Sequence, residues 1–364
     1  MFYRKIYPFI RLFIDPLVPK IRKKILLFSS AGKEDANLIC IRQYLSYYYD
    51  DITVVVVNSK RKNGIREHMK TLYNILTSYY ILVDHAIPRF ISGKNHRIIN
   101  VWHGIPIKNI RHFDRGRFTQ EFLEFESENL YGLVCSSDLD KAVMAASFNV
   151  PPEKCIVSGL PRSDILSSNN LEWFYDQQES RLLEELQGRL LVAWMPTYRG
   201  NWYDKEIIDV FNGDEENRLC KLLKESNAVL GVRPHKFSTM QDFPLLKEQG
   251  LLIELSHYDN VNVILKHTRH LITDYSSVWL DFSLISSSVS LYLYDFEIYQ
   301  EERGMIYPLE EVFPGVINFD FDSLYENLEF QLTSNNDDFS PSKLFFKYND
   351  ANNTRRFIEA LFSR

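Results

Sequence analysis

No apolar run in this chain reaches the roughly 18–20 residues needed to span a bilayer. No signal peptide is expected either: the first residues alternate basic and apolar groups, with no continuous hydrophobic stretch and no small-residue cleavage site. Cysteine is scarce. Cys40, Cys135, Cys155 and Cys220 are scattered, none in a CxxC pair, which excludes a zinc knuckle or thioredoxin-type centre and fits a reducing compartment. The histidines lack metal-ligand spacing, no serine sits in an elbow motif, and neither GxGxxG nor a Walker A sequence occurs, so hydrolase and metalloenzyme readings are weak and no protein metal site or cofactor is expected. Asp320-Phe321-Asp322 is a DxD triplet, a pattern that chance produces easily. Positive charge is not in surplus either: a net charge of −6 argues against a nucleic-acid partner.

What is present is a folding chain. Apolar residues make up 45% and charged residues 25%, enough for real cores, and 364 residues suit two domains. The first 24 residues stand apart. They carry Arg4, Lys5, Arg11, Lys20, Arg22, Lys23 and Lys24 against one acid, Asp15, a local +6 in an acidic chain. Aromatic and aliphatic residues such as Phe2, Phe9, Leu12, Phe13 and Leu17 are interleaved with the cations, the chemistry of a segment lying on an anionic membrane surface. Pro8, Pro16 and Pro19 limit it to short helical pieces. The alternative is an arm packed on its own domain.

Beyond residue 24, strand-like and helix-like stretches alternate. Strands are expected at 24–30, 52–57, 79–85, 97–102, 131–138 and 154–159, with helical patterns between them. A polar break falls at 167–180. The alternation restarts at 190–196, 228–234, 251–255, 270–274 and 289–295. This pattern predicts an α/β protein of two Rossmann-like domains facing a central cleft, 25–175 and 176–350, followed by a helix over 351–364. Ligands of open parallel sheets bind at the carboxyl ends of strands, so the residues just after each strand are the candidates.

Four polar clusters occupy such positions. Trp102-His103-Gly104 follows the fourth strand. His103 has the near-neutral pKa of a general base, Gly104 admits close backbone approach, and Lys108 is placed to meet a phosphate. Arg199 follows 190–196 and suits bidentate phosphate contact. Arg233, His235 and Lys236 follow 228–234, three actual or potential cations within four residues. Thr273, Asp274, Ser276 and Ser277 follow 270–274, with a serine placed to cap the next helix. Arg303 adds a cation farther on. Each of these has a bland alternative as a surface or capping residue; together they suit a nucleotide-diphosphate substrate.

The segments WHGIPIK (102–108), CSSDLDKAVMAASF (135–148), GLPRSD (159–164), PTYRG (196–200), RPHK (233–236), ITDYSSVWLDF (272–282), YLYDFEIYQEERG (292–304) and FPG (313–315) resemble, in this order, the CDP-glycerol glycerophosphotransferase family of teichoic acid synthesis. The resemblance covers about residues 100–315. It implies a GT-B fold and transfer of glycerol phosphate, or in some members ribitol phosphate, from a CDP-activated donor with release of CMP. By the same resemblance His103 matches the general base, His235 the second essential histidine, and Thr273, Ser276 and Ser277 the donor-phosphate segment, with Arg233 and Arg303 as helpers. Ile105 and Gly200 depart from the family's usual threonine and acidic residue.

The expected partners are CDP-glycerol, an undecaprenyl-diphosphate-linked saccharide and the anionic cytoplasmic face of the membrane, where the protein would sit peripherally. A primase-like role is expected, because the sequence holds little beyond a catalytic module and a basic foot. A poly(glycerol or ribitol phosphate) polymerase of teichoic acid or capsule, a GT-B glycosyltransferase using a nucleotide sugar, and a non-catalytic membrane scaffold are the alternatives.

Overall fold

The computed structural model describes residues 2–30, 32, 34–59, 64–114, 116–197, 207–208, 210–234, 239–297, 299, 304–334 and 341–363; for 2–5, 207–208 and 239–240 it describes the backbone alone. The chain divides into two units. The first comprises residues 1–105, 110–175 and 343–364, and the second residues 106–109 and 176–342.

Six short, apolar, β-branched runs form the sheet of the first unit: β1 (Ile21–Ser29), β2 (Thr53–Asn58), β3 (Ser78–Val83), β4 (Arg97–Asn100), β5 (Gly132–Cys135) and β6 (Cys155–Val157). All are parallel, in the order β2-β1-β3-β4-β5-β6. Parallel strands need crossover helices, which cover both faces of the sheet, so their sequences read as continuous hydrophobic runs. Ile25, Leu26, Leu27, Ile81, Leu82, Val83, Ile98 and Ile99 are completely buried. The intervening helices are capped by polar side chains: Asp35 accepts from the Asn37 amide, Thr119 from Phe122 and Ser137 from Asp140.

The second unit repeats the plan with β7 (Leu190–Met195), β9 (Ala228–Val232), β11 (Leu252–Glu254), β12 (Thr268–Thr273), β13 (Val289–Tyr292) and β14 (Val316–Asn318), in the order β11-β9-β7-β12-β13-β14. Two dipeptides, β8 (Ile207–Ile208) and β10 (Thr239–Met240), pair separately. Its core gathers Trp194, Phe211, Leu219, Leu223, Phe243, Leu324 and Leu328. Helix Gly213–Glu225 begins with a capping box in which Asn212 and Glu215 satisfy each other's backbone amides. The Asp320 and Asp322 carboxylates have local duties: Asp320 caps helix Phe321–Thr333 and Asp322 pairs with Arg218.

The basic N-terminus is a helix (Phe2–Phe9), a π turn (Ile10–Ile14) and a tight turn (Asp15–Leu17), and Ile21–Lys24 already belong to β1. Its lone acid is the anchor. Asp15 is fully buried and accepts from Lys20 Nζ (2.8 Å), His96 Nε2 (2.7 Å), Asn95 Nδ2 (2.9 Å) and the Ser92 amide (3.0 Å). Ile10 and Val18 pack on the core of the first unit, while Phe9, Leu12, Phe13 and Leu17 stay exposed. At the other end, Asp164 accepts from the Asn353 and Thr354 amides (2.8 Å each) and fixes helix Asn353–Ser363 to the first unit. Among the described residues, no helix is long and apolar enough to cross a membrane.

Candidate active site

In each sheet the strand order reverses once, between β1 and β3 in the first unit and between β7 and β12 in the second. At such a point the flanking loops run opposite ways and leave room for a ligand beyond the strand ends. Described residues expected from the sequence to bind or react lie near both.

In the first unit, Asp84 follows β3 and closes the switch point. Its buried carboxylate accepts from Ser29 Oγ (3.0 Å), the Ser30 amide (3.1 Å) and Ser30 Oγ (3.1 Å), all at the end of β1. Burial acts to raise the Asp84 pKa, but His85, Ser30 and Ser29 outweigh it and hold the group below the usual carboxylate value.

His103 projects from the turn after β4. Trp102 adopts φ +50°, a left-handed conformation that is costly for a bulky residue, about 1–3 kcal/mol. The turn is held on several sides: the Trp102 amide donates to Asn100 Oδ1 (2.8 Å), Asn37 Nδ2 donates to the Trp102 carbonyl (3.0 Å), and the indole packs edge-on against Phe148. His103 is half-buried, and its Nδ1 lies 3.2 Å from the Asp84 carbonyl oxygen. A carbonyl only accepts, so Nδ1 carries the proton and Nε2 keeps a lone pair. Desolvation first, then the charges of His85, Arg162 and Arg111, push the His103 pKa well below the ordinary imidazole value, against the Asp84 hydrogen bond. The neutral form of the ring is therefore favoured.

Arg162 supports the same loop. Its Nη1 donates to the His103 carbonyl (2.7 Å), and its amide donates to Asn37 Oδ1 (3.0 Å). Gly104 sits at φ +134° with the guanidinium against it: an added Cβ would come within 2.5 Å of Arg162 Nη2. Lys108 belongs to the second unit's contacts. It bridges to Met305 in antiparallel fashion and lies 6.0 Å from the centre of the Tyr299 ring, which stacks on Tyr275 at 3.7 Å.

In the second unit, Asp274 after β12 accepts the Thr197 amide through both oxygens (2.8 and 2.9 Å), and Thr273 Oγ1 donates to the Met195 carbonyl (2.7 Å). Both residues are buried and tie the β12 loop to the end of β7. Ser276 and Ser277 are half-buried. The expected serine cap takes another form: Ser277 occupies the N-cap position of Val278–Phe282 without a side-chain cap bond, and Ser276 Oγ accepts from the Val278 amide at 3.4 Å. The helix has only five residues, and Ile285 lies beyond it. Arg233 follows β9. Its amide donates to the Trp194 carbonyl (2.9 Å) and its Nη2 to Tyr258 O (3.0 Å), and burial lowers its pKa with Asp259 opposing. Arg199, His235, Lys236 and Arg303 lie outside the described residues.

Asp84, His85, Asp35 and Arg111 were not singled out from the sequence. The strand-end rule applied to β3 would have reached Asp84 and His85. Arg162 stands in the quoted GLPRSD segment, but its hold on His103 spans 59 residues of sequence and has no local signature.

A family model described as CDP-Glycerol:Poly(glycerophosphate) glycerophosphotransferase matches residues 11–363. The teichoic acid ribitol-phosphate polymerase TarK of Staphylococcus aureus (strain NCTC 8325 / PS 47) is 27% identical over 361 residues, 94% of this chain and 69% of TarK. TarL, a ribitol-phosphate polymerase of the same strain, is 27% identical over 88% of this chain, which spans only 58% of TarL. The teichoic acid glycerol-phosphate primase of Bacillus subtilis (strain 168) is 24% identical over 79% of this chain and 74% of its own length. Among solved structures, the wall teichoic acid polymerase TagF in a histidine-to-alanine form matches with a TM-score of 0.76 at 18% identity, over 96% of this chain and 92% of that one. The fold is therefore GT-B-like. Matched along nearly its whole length, the chain belongs to the CDP-glycerol:poly(glycerophosphate) glycerophosphotransferase family, transferases of teichoic acid biosynthesis.

Proposed function

We propose that this member transfers glycerol phosphate from CDP-glycerol to a hydroxyl of a membrane lipid-linked saccharide, releasing CMP, as a primase-like enzyme on the cytoplasmic face of the membrane. The observation that carries the reading is His103 in the turn after β4, its Nδ1 tied to the carbonyl of Asp84 at the β1/β3 switch point. In the reaction, the acceptor oxygen bonds to the glycerol-bearing phosphorus as the bond from that phosphorus to the CMP oxygen breaks. The hydroxyl proton passes to His103 Nε2, and CMP leaves with the electron pair. His235, Arg199, Arg233, Arg303, Lys108 and the Ser276–Ser277 turn are assigned to the donor diphosphate, and Gly104 to close substrate approach. The scheme invokes no metal held by side chains. Positioning and electrostatics dominate phosphoryl transfer, so these groups supply most of the rate.

A second reading, a ribitol-phosphate polymerase, is favoured by one observation: TarK and TarL are more alike to this chain (27%) than the glycerol-phosphate primase is (24%). The test is to supply CDP-glycerol or CDP-ribitol with a short-chain lipid-linked disaccharide and weigh the products. One added glycerol phosphate is the expected result. A ladder of additions means a polymerase, and use of CDP-ribitol alone means the second reading.

A further inference from the structure

We propose that His85 is a positioning residue for His103, its ring stacked face to face on the His103 imidazole and set against the Asp84 carboxylate, so that it fixes the orientation and surroundings of that ring. The inference rests on the reading of His103 as the base. The two imidazoles are parallel, with centroids 4.0 Å apart and an interplanar angle of 10°. Asp84 serves both rings. Its carboxylate Oδ1 lies 3.2 Å from His85 Nδ1, and its backbone carbonyl accepts from His103 Nδ1. Burial and the contact with His85 both act against a proton on His103.

The backbone of His85 is equally fixed. Its carbonyl accepts from Asn100 Nδ2 (2.9 Å) and Arg111 Nη2 (3.0 Å). Charged groups of both signs surround the pair. Arg162, before helix Ser163–Ser167, and Arg111, in the turn Arg111–Phe113, are cations acting on His103, and Arg111 is itself paired with Glu126. Asp35, at the cap of helix Ala36–Tyr48, is a second carboxyl near the pair; burial raises its pKa, with Arg162 opposing. Asp84 sets a carboxylate beside His85 while giving His103 a neutral carbonyl.

The decisive variant is His85→Phe, which keeps a flat ring to stack and removes the charge. His85→Gln is the second variant, should the first fail to fold. Two readouts are taken on the full chain: the titration of the His103 imidazole by nitrogen-resolved NMR, assigned with His103→Ala, and the acid limb of kcat/KM with CDP-glycerol and the acceptor. The expected result is a His103 midpoint raised by about one pH unit, with the acid limb displaced upward by the same amount. A His103 midpoint unchanged in the folded variant overturns the proposal, because a purely structural ring would alter stability and leave the midpoint alone. The titration needs no turnover. A wild-type protein that releases no CMP, yet shows the shifted midpoint, sinks the transfer reading and leaves the pairing standing.

Discussion

Gly104 is where one atom would be felt most. It holds φ +134° and leaves no room for a Cβ on the side of Arg162, whose guanidinium also grips the His103 carbonyl. Gly104→Ala should therefore lower stability by about 1–3 kcal/mol, through backbone strain and displaced Arg162. CMP release should fall further than the stability loss explains, because the base moves with the loop. Urea unfolding beside the transfer assay separates the two effects. His103, Gly104, Thr273, Asp274, Ser276 and Ser277 could be found from sequence because each follows a hydrophobic run that ends a parallel strand. Their burial could not. Thr273 and Asp274 look like ligands for a phosphate in the linear sequence, but the fold spends their oxygens on Met195 and Thr197. The contacts of His103 were hidden for a related reason: Asp84 and Arg162 lie 19 and 59 residues away in the chain and meet it only in the fold.

Elements were most readable where hydrophobic runs were longest. Helix Asp138–Phe148 and the first six strands fall where periodicity places them, within a few residues. Val316–Asn318 escaped because three residues carry no period, and helix Val278–Phe282 stops after little more than a turn although apolar spacing continues to Ile285. The N-terminal segment was read as one basic foot, whereas Asp15 divides it into an anchored part and an exposed part. Burial alone would raise the Asp15 pKa; hydrogen bonds from His96, Asn95 and Lys20 outweigh it and bring it to about 2. A depressed carboxylate pKa contributes stability that is present above the unfolded-state value near 4 and lost as pH falls toward 2, here about 2 kcal/mol. Asp15→Asn should remove that acid-side dependence, and Asp15→Ala should cost about 3 kcal/mol or more by stranding buried donors. Urea midpoints measured from pH 2 to 7 would show both. An unchanged slope in Asp15→Asn would refute the assignment.

At the scale of the whole molecule, the chain builds two six-stranded parallel sheets of related order and places polar side chains at the switch point of each. The second unit takes residues 106–109 out of the segment that carries His103, so one loop sequence serves both units. The exposed Phe9, Leu12, Phe13 and Leu17, beside Arg11, define the proposed membrane face. Each nearby cation contributes about 1 kcal/mol on an anionic leaflet. The full chain should sediment with phosphatidylglycerol vesicles and release as salt rises, and Leu12→Ser with Phe13→Ser should weaken binding while leaving donor turnover on a soluble acceptor intact. Equal binding to neutral vesicles would contradict the electrostatic part.

The most direct test of the central claim is acceptor-dependent CMP release from CDP-glycerol by the wild-type protein and by folded His103→Ala. The account predicts release that requires the acceptor and falls by a factor on the order of 10²–10⁴ in the variant. An undiminished rate in His103→Ala, or no CMP from either CDP-glycerol or CDP-ribitol with the wild-type protein, would contradict it.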